Sequence, residues 1–473
     1  MLAGLLLAGC AHQAPPPPDL EIPLPAHWTA PPAADSALTA TVAPGFDLGN
    51  ADLADVVAEA LEHNHDLVAA AARLEQAAAR ARIAGGARVP QVSAGLDAAR
   101  GKRNFIGLPI PGTDGSVLSS TSTTLGVSLN VSWEVDLWGR LAAGRSAAAA
   151  DLEAARSDLE AARRSLAAQT AKSWIAAVAA RRQLELAQTT LASRDETLGK
   201  IRRRYEVGLR SSLDLRLAEA DRAGAAAAAV ARRLDLDTAL RQLEILLGRY
   251  PAAQLVLPAG LPELDGPVAA GLPSEVLTRR PDLAAAERRV AAAGARVAEA
   301  RAALYPQLRL TGSAGTSSDQ VADLLDGDFS VWSFAGSLLQ PLFQGGRLRA
   351  GVDLAAAGAD EALAAYASAV LRALGEVETA LAAEKGLAEQ ETALAAAALQ
   401  AEAARRLAEE RYETGLGEYL VVLESQRGAV DTASRRLEVQ RQRLVARIDL
   451  YLALGGDLPP AESGSGDPTP ETR

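Results

Sequence analysis

Few side chains in this 473-residue sequence could carry covalent or metal chemistry. Its one cysteine, Cys10, closes Leu7-Ala8-Gly9-Cys10 at the end of a short apolar stretch. Small residues before a lone thiol are what a lipobox requires: the leader is cut ahead of the cysteine, which is then acylated. The bland alternative is a buried apolar cysteine. A run of four prolines, Pro15 to Pro18, follows as a tether would, although no Lys or Arg precedes the apolar core. The histidines are His12, His27, His63 and His65. On a helix, His63 and His65 would point in different directions, which leaves them as solvated surface rather than a metal pair. There is no Walker A loop, no strand-borne G-x-G-x-x-G, no H-E-x-x-H and no G-x-S-x-G elbow. No catalytic residue, no metal and no cofactor is expected, so the chain reads as a non-enzyme.

Composition narrows the remaining classes. Lys and Arg number 48 against 59 Asp and Glu, a net charge of −11, and no basic run exists. A nucleic-acid partner would need such a footprint. Only 4% of residues are aromatic, and Ala, Leu, Glu and Arg dominate, a mixture suited to long helices. No run of 18 apolar residues offers a membrane-spanning helix.

The elements that organise the chain come twice. Asp66-Leu67 and Val89-Pro90-Gln91 return 216 residues later as Asp282-Leu283 and Tyr305-Pro306-Gln307. Arg140-Leu141 and Arg204-Tyr205-Glu206 return 207 residues later as Arg347-Leu348 and Arg411-Tyr412-Glu413. The 64-residue spacing from Arg140 to Arg204 is repeated without insertion from Arg347 to Arg411, as a rigid rod demands. Leu152, Leu159 and Leu166, then Leu184, Leu191 and Leu198, recur every seven residues, and no proline interrupts them. Gly208 and Gly415 close the rods, and a second helix returns from each. We divide the chain into a leader remnant (1–9), a lipidated Pro-rich segment (10–50), a first repeat (51–262), a second repeat (263–457) and a disordered tail (458–473).

Strand signals fill the gaps before the rods. From Leu125 to Leu137 every second residue is apolar, and the alternate positions include Asn130, Glu134 and Asp136. Weaker alternation runs over Val92 to Ala98, Leu308 to Ala314 and Trp332 to Leu338. One apolar and one polar face fit a transmembrane barrel, and a strand of about 9–11 residues suffices to cross a bilayer. Four strands cannot close a barrel, so the chain must oligomerise to remove its sheet edges.

Several motifs together resemble the outer-membrane efflux proteins of the TolC type, in their lipoprotein branch. They are Glu134-Val-Asp-Leu-Trp-Gly-Arg140, Gly271-Leu-Pro-Ser-Glu-Val-Leu-Thr-Arg-Arg-Pro-Asp-Leu283, Tyr305-Pro-Gln-Leu308 and Pro341-Leu-Phe-Gln-Gly-Gly-Arg347. The resemblance spans about residues 20 to 457. It implies a mixed, mainly α fold with internally duplicated helical hairpins in a periplasmic α-barrel. Four strands per chain would enter a 12-stranded barrel in a homotrimer within outer-membrane lipid. It also implies a periplasmic adaptor and an inner-membrane pump, with Gly208, Leu209, Gly415 and Leu416 as the docking tips. In the family a tyrosine, an arginine and an aspartate latch the closed tips, and two carboxylate rings narrow the pore. Tyr412 and Asp214 match the latch, Gly417 replaces its arginine, and Arg210 is the nearest substitute. Glu424 matches the deeper ring, while Val421 takes the place of the other.

The resulting expectation is a passive exit duct of a tripartite efflux system, lipid-anchored in the outer membrane. The alternatives are the duct of a type I protein-secretion system and a structural coiled-coil envelope lipoprotein.

Overall fold

The computed structural model describes residues 25, 27–29, 46, 48–105, 117–264 and 273–456. Cys10, the leader, most of the Pro-rich segment and the 458–473 tail lie outside these residues. Among the described residues the first repeat runs α1 (Ala51–His63), α2 (His65–Gly86), β1 (Gln91–Asn104), β2 (Ser119–Val135), α3 (Arg140–Glu206) and α4 (Ser212–Leu246). The second runs α5 (Pro273–Arg279), α6 (Pro281–Ala302), β3 (Gln307–Ser318), β4 (Ser330–Leu339), α7 (Arg347–Glu413) and α8 (Tyr419–Ala453). Two short 3-10 turns, Val321–Leu325 and Gly327–Phe329, connect β3 to β4.

Equivalent helices have equal lengths. Both α3 and α7 hold 67 residues, about 100 Å of helix each. Both α4 and α8 hold 35. The rods end alike, because at each end the chain must reverse without leaving carbonyls unpaired. Gly208 and Gly415 adopt φ +77° and +80°, where a side chain would be strained. The Leu209 amide then donates to Arg204 O at 2.8 Å, and that of Leu416 to Arg411 O at 2.8 Å. These are Schellman closures.

The break between α1 and α2 is held by Asn64. Its side-chain oxygen accepts from the Asp66 and Leu67 amides, and its amide donates to Leu246 O at 2.9 Å. In the second repeat Arg280 occupies the equivalent place and donates to Ala453 O. Different chemistry at one position thus ties each short helix to the end of its return helix.

Chain contacts define two compact units, and each repeat contributes to both. One comprises residues 74–155 and 286–366 among those described, and it carries the sheet. The other comprises the described parts of 21–73, 156–285 and 367–473. Its main core packs Trp174, Ile175 and Val178 of α3 against Leu243, Val377 and Ile448, with Phe46, Leu53 and Val57 joining them. Alanines 167, 168 and 171 are fully buried there, which lets the long helices approach closely. The heptad leucines Leu152, Leu159, Leu184, Leu191 and Leu198 are only half-buried, while Leu166 is buried.

Candidate functional site: a two-faced wall and paired hairpin tips

The four strands form one antiparallel sheet in the order β1-β2-β3-β4. Its register aligns like with like. Val92 pairs with Val131, which pairs with Gly312, which pairs with Phe334. Two residues along, Trp133 meets Leu310. The intervening positions bring Ser93, Asn130, Ser313 and Ser333 into one row. Because side chains alternate across a strand, one face is apolar and the other polar. Apolar side chains on the first face are exposed, Leu96 at 75% and Trp332 at 81%. Both β1 and β4 are edge strands of this sheet, with open hydrogen-bonding positions.

The junction between β2 and α3 explains one sequence motif. Glu134 accepts two hydrogen bonds from Arg140 Nη2, at 2.8 and 2.9 Å. Asp136 accepts from the Leu141 and Ala142 amides, at 3.1 and 2.7 Å, which caps the helix. Gly139 turns the chain at φ +74°. Trp138 stacks on Tyr305 with centroids 5.1 Å apart and donates to Pro306 O. Strand alternation runs Asn130, Glu134 and Asp136 together, but β2 ends at Val135. Asp136 is therefore a helix cap rather than a residue of the polar strand face.

The hairpin turns lie side by side in the other unit. Arg204 Nη2 donates to Glu413 O, and Arg210 Nη2 donates to Tyr412 O, both at 3.2 Å. Lys200 pairs with Glu413 at 2.9 Å. Tyr412 is buried and sits 5.6 Å from Tyr419 between ring centroids, within a cluster of Ile201, Ala218, Val422 and Leu423. Burial raises the Tyr412 phenol pKa; Arg210 lowers it, Asp214 raises it further, and Arg204 lowers it. Tyr419 is pushed up to about 12, by burial first and then by Asp221. Asp214 lies in the first turn of α4, where its amide donates to the hydroxyl of the capping Ser211. Val421 and Glu424 lie on the exposed side of α8, opposite the buried Val422 and Leu423. Leu209 and Leu416 are 72% and 76% exposed at the turns.

Beyond this cluster lies a network that sequence pattern did not reveal. Arg194 of α3 pairs with Asp221 of α4 at 2.7 Å and bonds Gln426 of α8. Gln426 donates to Glu409 of α7 at 2.6 Å, and Arg427 reaches Asp221 at 3.2 Å. Four helices are thereby joined through polar groups. Arg194 and Asp221 carry no local sign of burial, and their side chains are 6% and 9% exposed only because the helices pack around them.

The chain matches the family described as Outer membrane efflux protein over residues 56–249 and 272–456. It belongs to that family. It is 36% identical to the pyoverdine export outer membrane protein OpmQ of Pseudomonas putida, over 96% of each chain. It is 32% identical to the toluene efflux pump outer membrane protein TtgF of Pseudomonas putida, covering 85% of this chain and 82% of that one. Its fold superimposes on the open state of the MtrE outer membrane channel of Neisseria gonorrhoeae with a TM-score of 0.82 and 30% identity, covering 94% and 98% of the two chains. This efflux protein is an outer-membrane channel component of mixed, mainly helical architecture.

Proposed function

We propose that three copies of this efflux protein form the passive exit duct of a tripartite system. Each copy would receive cargo through a periplasmic adaptor from an inner-membrane pump. The single observation that carries this reading is the sheet: an exposed apolar face, a polar face and two open edges. Three four-stranded sheets joined edge to edge give 12 strands, enough to enclose a wet lumen. OpmQ and TtgF are named for pyoverdine and toluene, which share little chemistry. That contrast favours small organic molecules as cargo, with the choice made by the pump.

Four finer assignments accompany it. Cys10 is acylated and adds a lipid anchor to the barrel. The turns at Gly208-Leu209 and Gly415-Leu416 receive the adaptor, supported by their exposed leucines and their adjacency. Tyr412, Arg210 and Asp214 form the gate latch, with Val421 and Glu424 facing the pore. The two repeats, 51–262 and 263–457, act as the halves of one protomer.

Conductance of the purified protein in a planar bilayer tests the duct. Discrete open events support it, and a silent, correctly assembled trimer refutes it. Metabolic labelling with a palmitate analogue tests Cys10, and label surviving in Cys10→Ser would refute that anchor.

A further inference from the structure

The apolar face of the sheet ends in two cations. On β1 the face carries Val92, Ala94, Leu96 and Ala98, and the same alternation then brings Arg100 and Lys102 to it. Their partners on β2 also change character: Ala98 lies opposite Leu125, but Arg100 lies opposite Thr123 and Lys102 opposite Thr121. Both cations are exposed. Among the described residues no carboxylate pairs with either, and the nearest acid on the strand, Asp97, falls on the opposite face.

Position along the wall gives these cations a setting. On β2 the band runs from Val135 to Leu125, ten residue-to-residue steps, or about 34 Å of strand. At a tilt near 45° that is about 24 Å of depth, close to the ~25 Å apolar band of outer-membrane barrels. Arg100 and Lys102 fall about 5 and 10 Å beyond the band, at headgroup height, by the same rise and tilt. The opposite ends of the strands lead into α2, α3, α6 and α7. The cations therefore stand at the end away from the helices, on the side that faces lipid. Cations are costly at the bilayer centre and tolerated at its edge, where their stems lie along the apolar surface.

We propose that Arg100 and Lys102 bind the phosphates of a phosphorylated glycolipid in the external leaflet. Phosphate is the anion that Arg holds through paired N–H donors and Lys through a point charge. Two neighbouring cations on one strand face suit a headgroup with more than one phosphate. The pair would hold lipid against β1, which in a trimer becomes the seam with the neighbouring protomer's β4. This inference rests on the channel reading, since only a membrane-embedded wall presents that face to lipid.

The full-length trimer in phosphatidylcholine nanodiscs doped with diphosphoryl lipid A provides the test, with retained lipid A counted by native mass spectrometry. In the double variant Arg100→Gln/Lys102→Gln apparent affinity should fall about tenfold or more, the loss expected of charge-assisted bonds. Arg103→Gln, on the opposite face, should retain lipid A as the parent does. A phosphate-free lipid A analogue should not distinguish parent from double variant, and parent retention should fall with added salt. Equal retention by parent and double variant overturns the proposal, as does retention that salt leaves unchanged. A double variant that falls to monomers in lipid-free detergent also overturns it, assigning the pair to carboxylates of the neighbour's β3–β4 connection. Conductance of the same preparation tests the channel separately: a parent that conducts but ignores the phosphates defeats only this inference.

Discussion

The Arg210 guanidinium carbon lies 4.1 Å from the centroid of the Tyr412 ring, so the turn of the first hairpin grips the second through a cation–π contact. Arg204 approaches the same ring at 5.8 Å. Such contacts reach about 2 kcal/mol when desolvated, and Tyr412 is only 6% exposed. The ring does the holding, for the Tyr412 hydroxyl has no hydrogen-bond partner among the described residues. Arg210→Ala should raise single-channel conductance, while Tyr412→Phe should leave it unchanged. Increased conductance in Tyr412→Phe would move the latch to the hydroxyl and a neighbouring protomer.

Val421 is 52% exposed, with Glu424 one turn further along the same side of α8. An apolar ring can close a pore by dewetting. Val421→Asp would place a second carboxylate beside each Glu424. Planar-bilayer recordings should then show block by divalent cations that is stronger than in the parent and relieved by Glu424→Gln. Identical divalent sensitivity in parent and variant would remove Val421 from the pore.

Positive φ has different consequences at the two glycines that end α3 and α4. At Gly208 a Cβ would meet nothing within 4 Å, so Gly208→Ala should cost only the left-handed strain, about 1 kcal/mol. At Gly248, with φ +71°, a Cβ would approach His63 O to 2.6 Å. Gly248→Ala should therefore lower the thermal midpoint clearly more than Gly208→Ala. The bulkier Gly208→Trp should assemble normally yet abolish efflux in cells; normal efflux would count against adaptor docking at the tips.

Arg447 of α8 and Glu384 of α7 form an ion pair with side chains 2% and 6% exposed. Removing one partner strands a charge in the core, a loss of about 3–5 kcal/mol in such sites. Glu384→Gln should depress the thermal midpoint strongly. Adding Arg447→Leu to Glu384→Leu should recover much of the loss, because apolar side chains avoid the desolvation cost. A double variant as unstable as Glu384→Gln would show that the charges are needed for more than mutual neutralisation.

Asp282 links stability to pH. Burial pushes its carboxyl pKa up, but the hydrogen bond and charge of Arg280 more than offset this and hold it below the ordinary value. A depressed folded-state pKa stabilises above the unfolded value, near 3.9, and the benefit disappears as pH falls through the folded one. Asp282→Asn should thus lower the thermal midpoint at neutral pH, with the difference from the parent shrinking below about pH 4. A difference that persists undiminished at lower pH would assign Asp282 a role independent of its charge.

The sequence by itself determined the elements, because each has a period or a stop written in local residue types. Alternation from Leu125 to Val135 specifies a two-faced strand, and the unbroken Arg140–Arg204 spacing specifies a rod. Gly208 and Gly415 mark where the rods end, since only glycine turns there without strain. The same local signals could not say which charges are buried. Arg194, Asp221, Gln426 and Glu409 come from four helices and meet only when the hairpins pack. Nor could they separate Asp136, a helix cap, from Asn130, a side chain on the polar strand face. Arg210 and Tyr412 are 202 residues apart in sequence, and their contact depends on two turns being brought side by side. Periodicity is a property of neighbours along the chain, whereas burial, ion pairing and the grip on Tyr412 arise between segments that only the folded packing brings together.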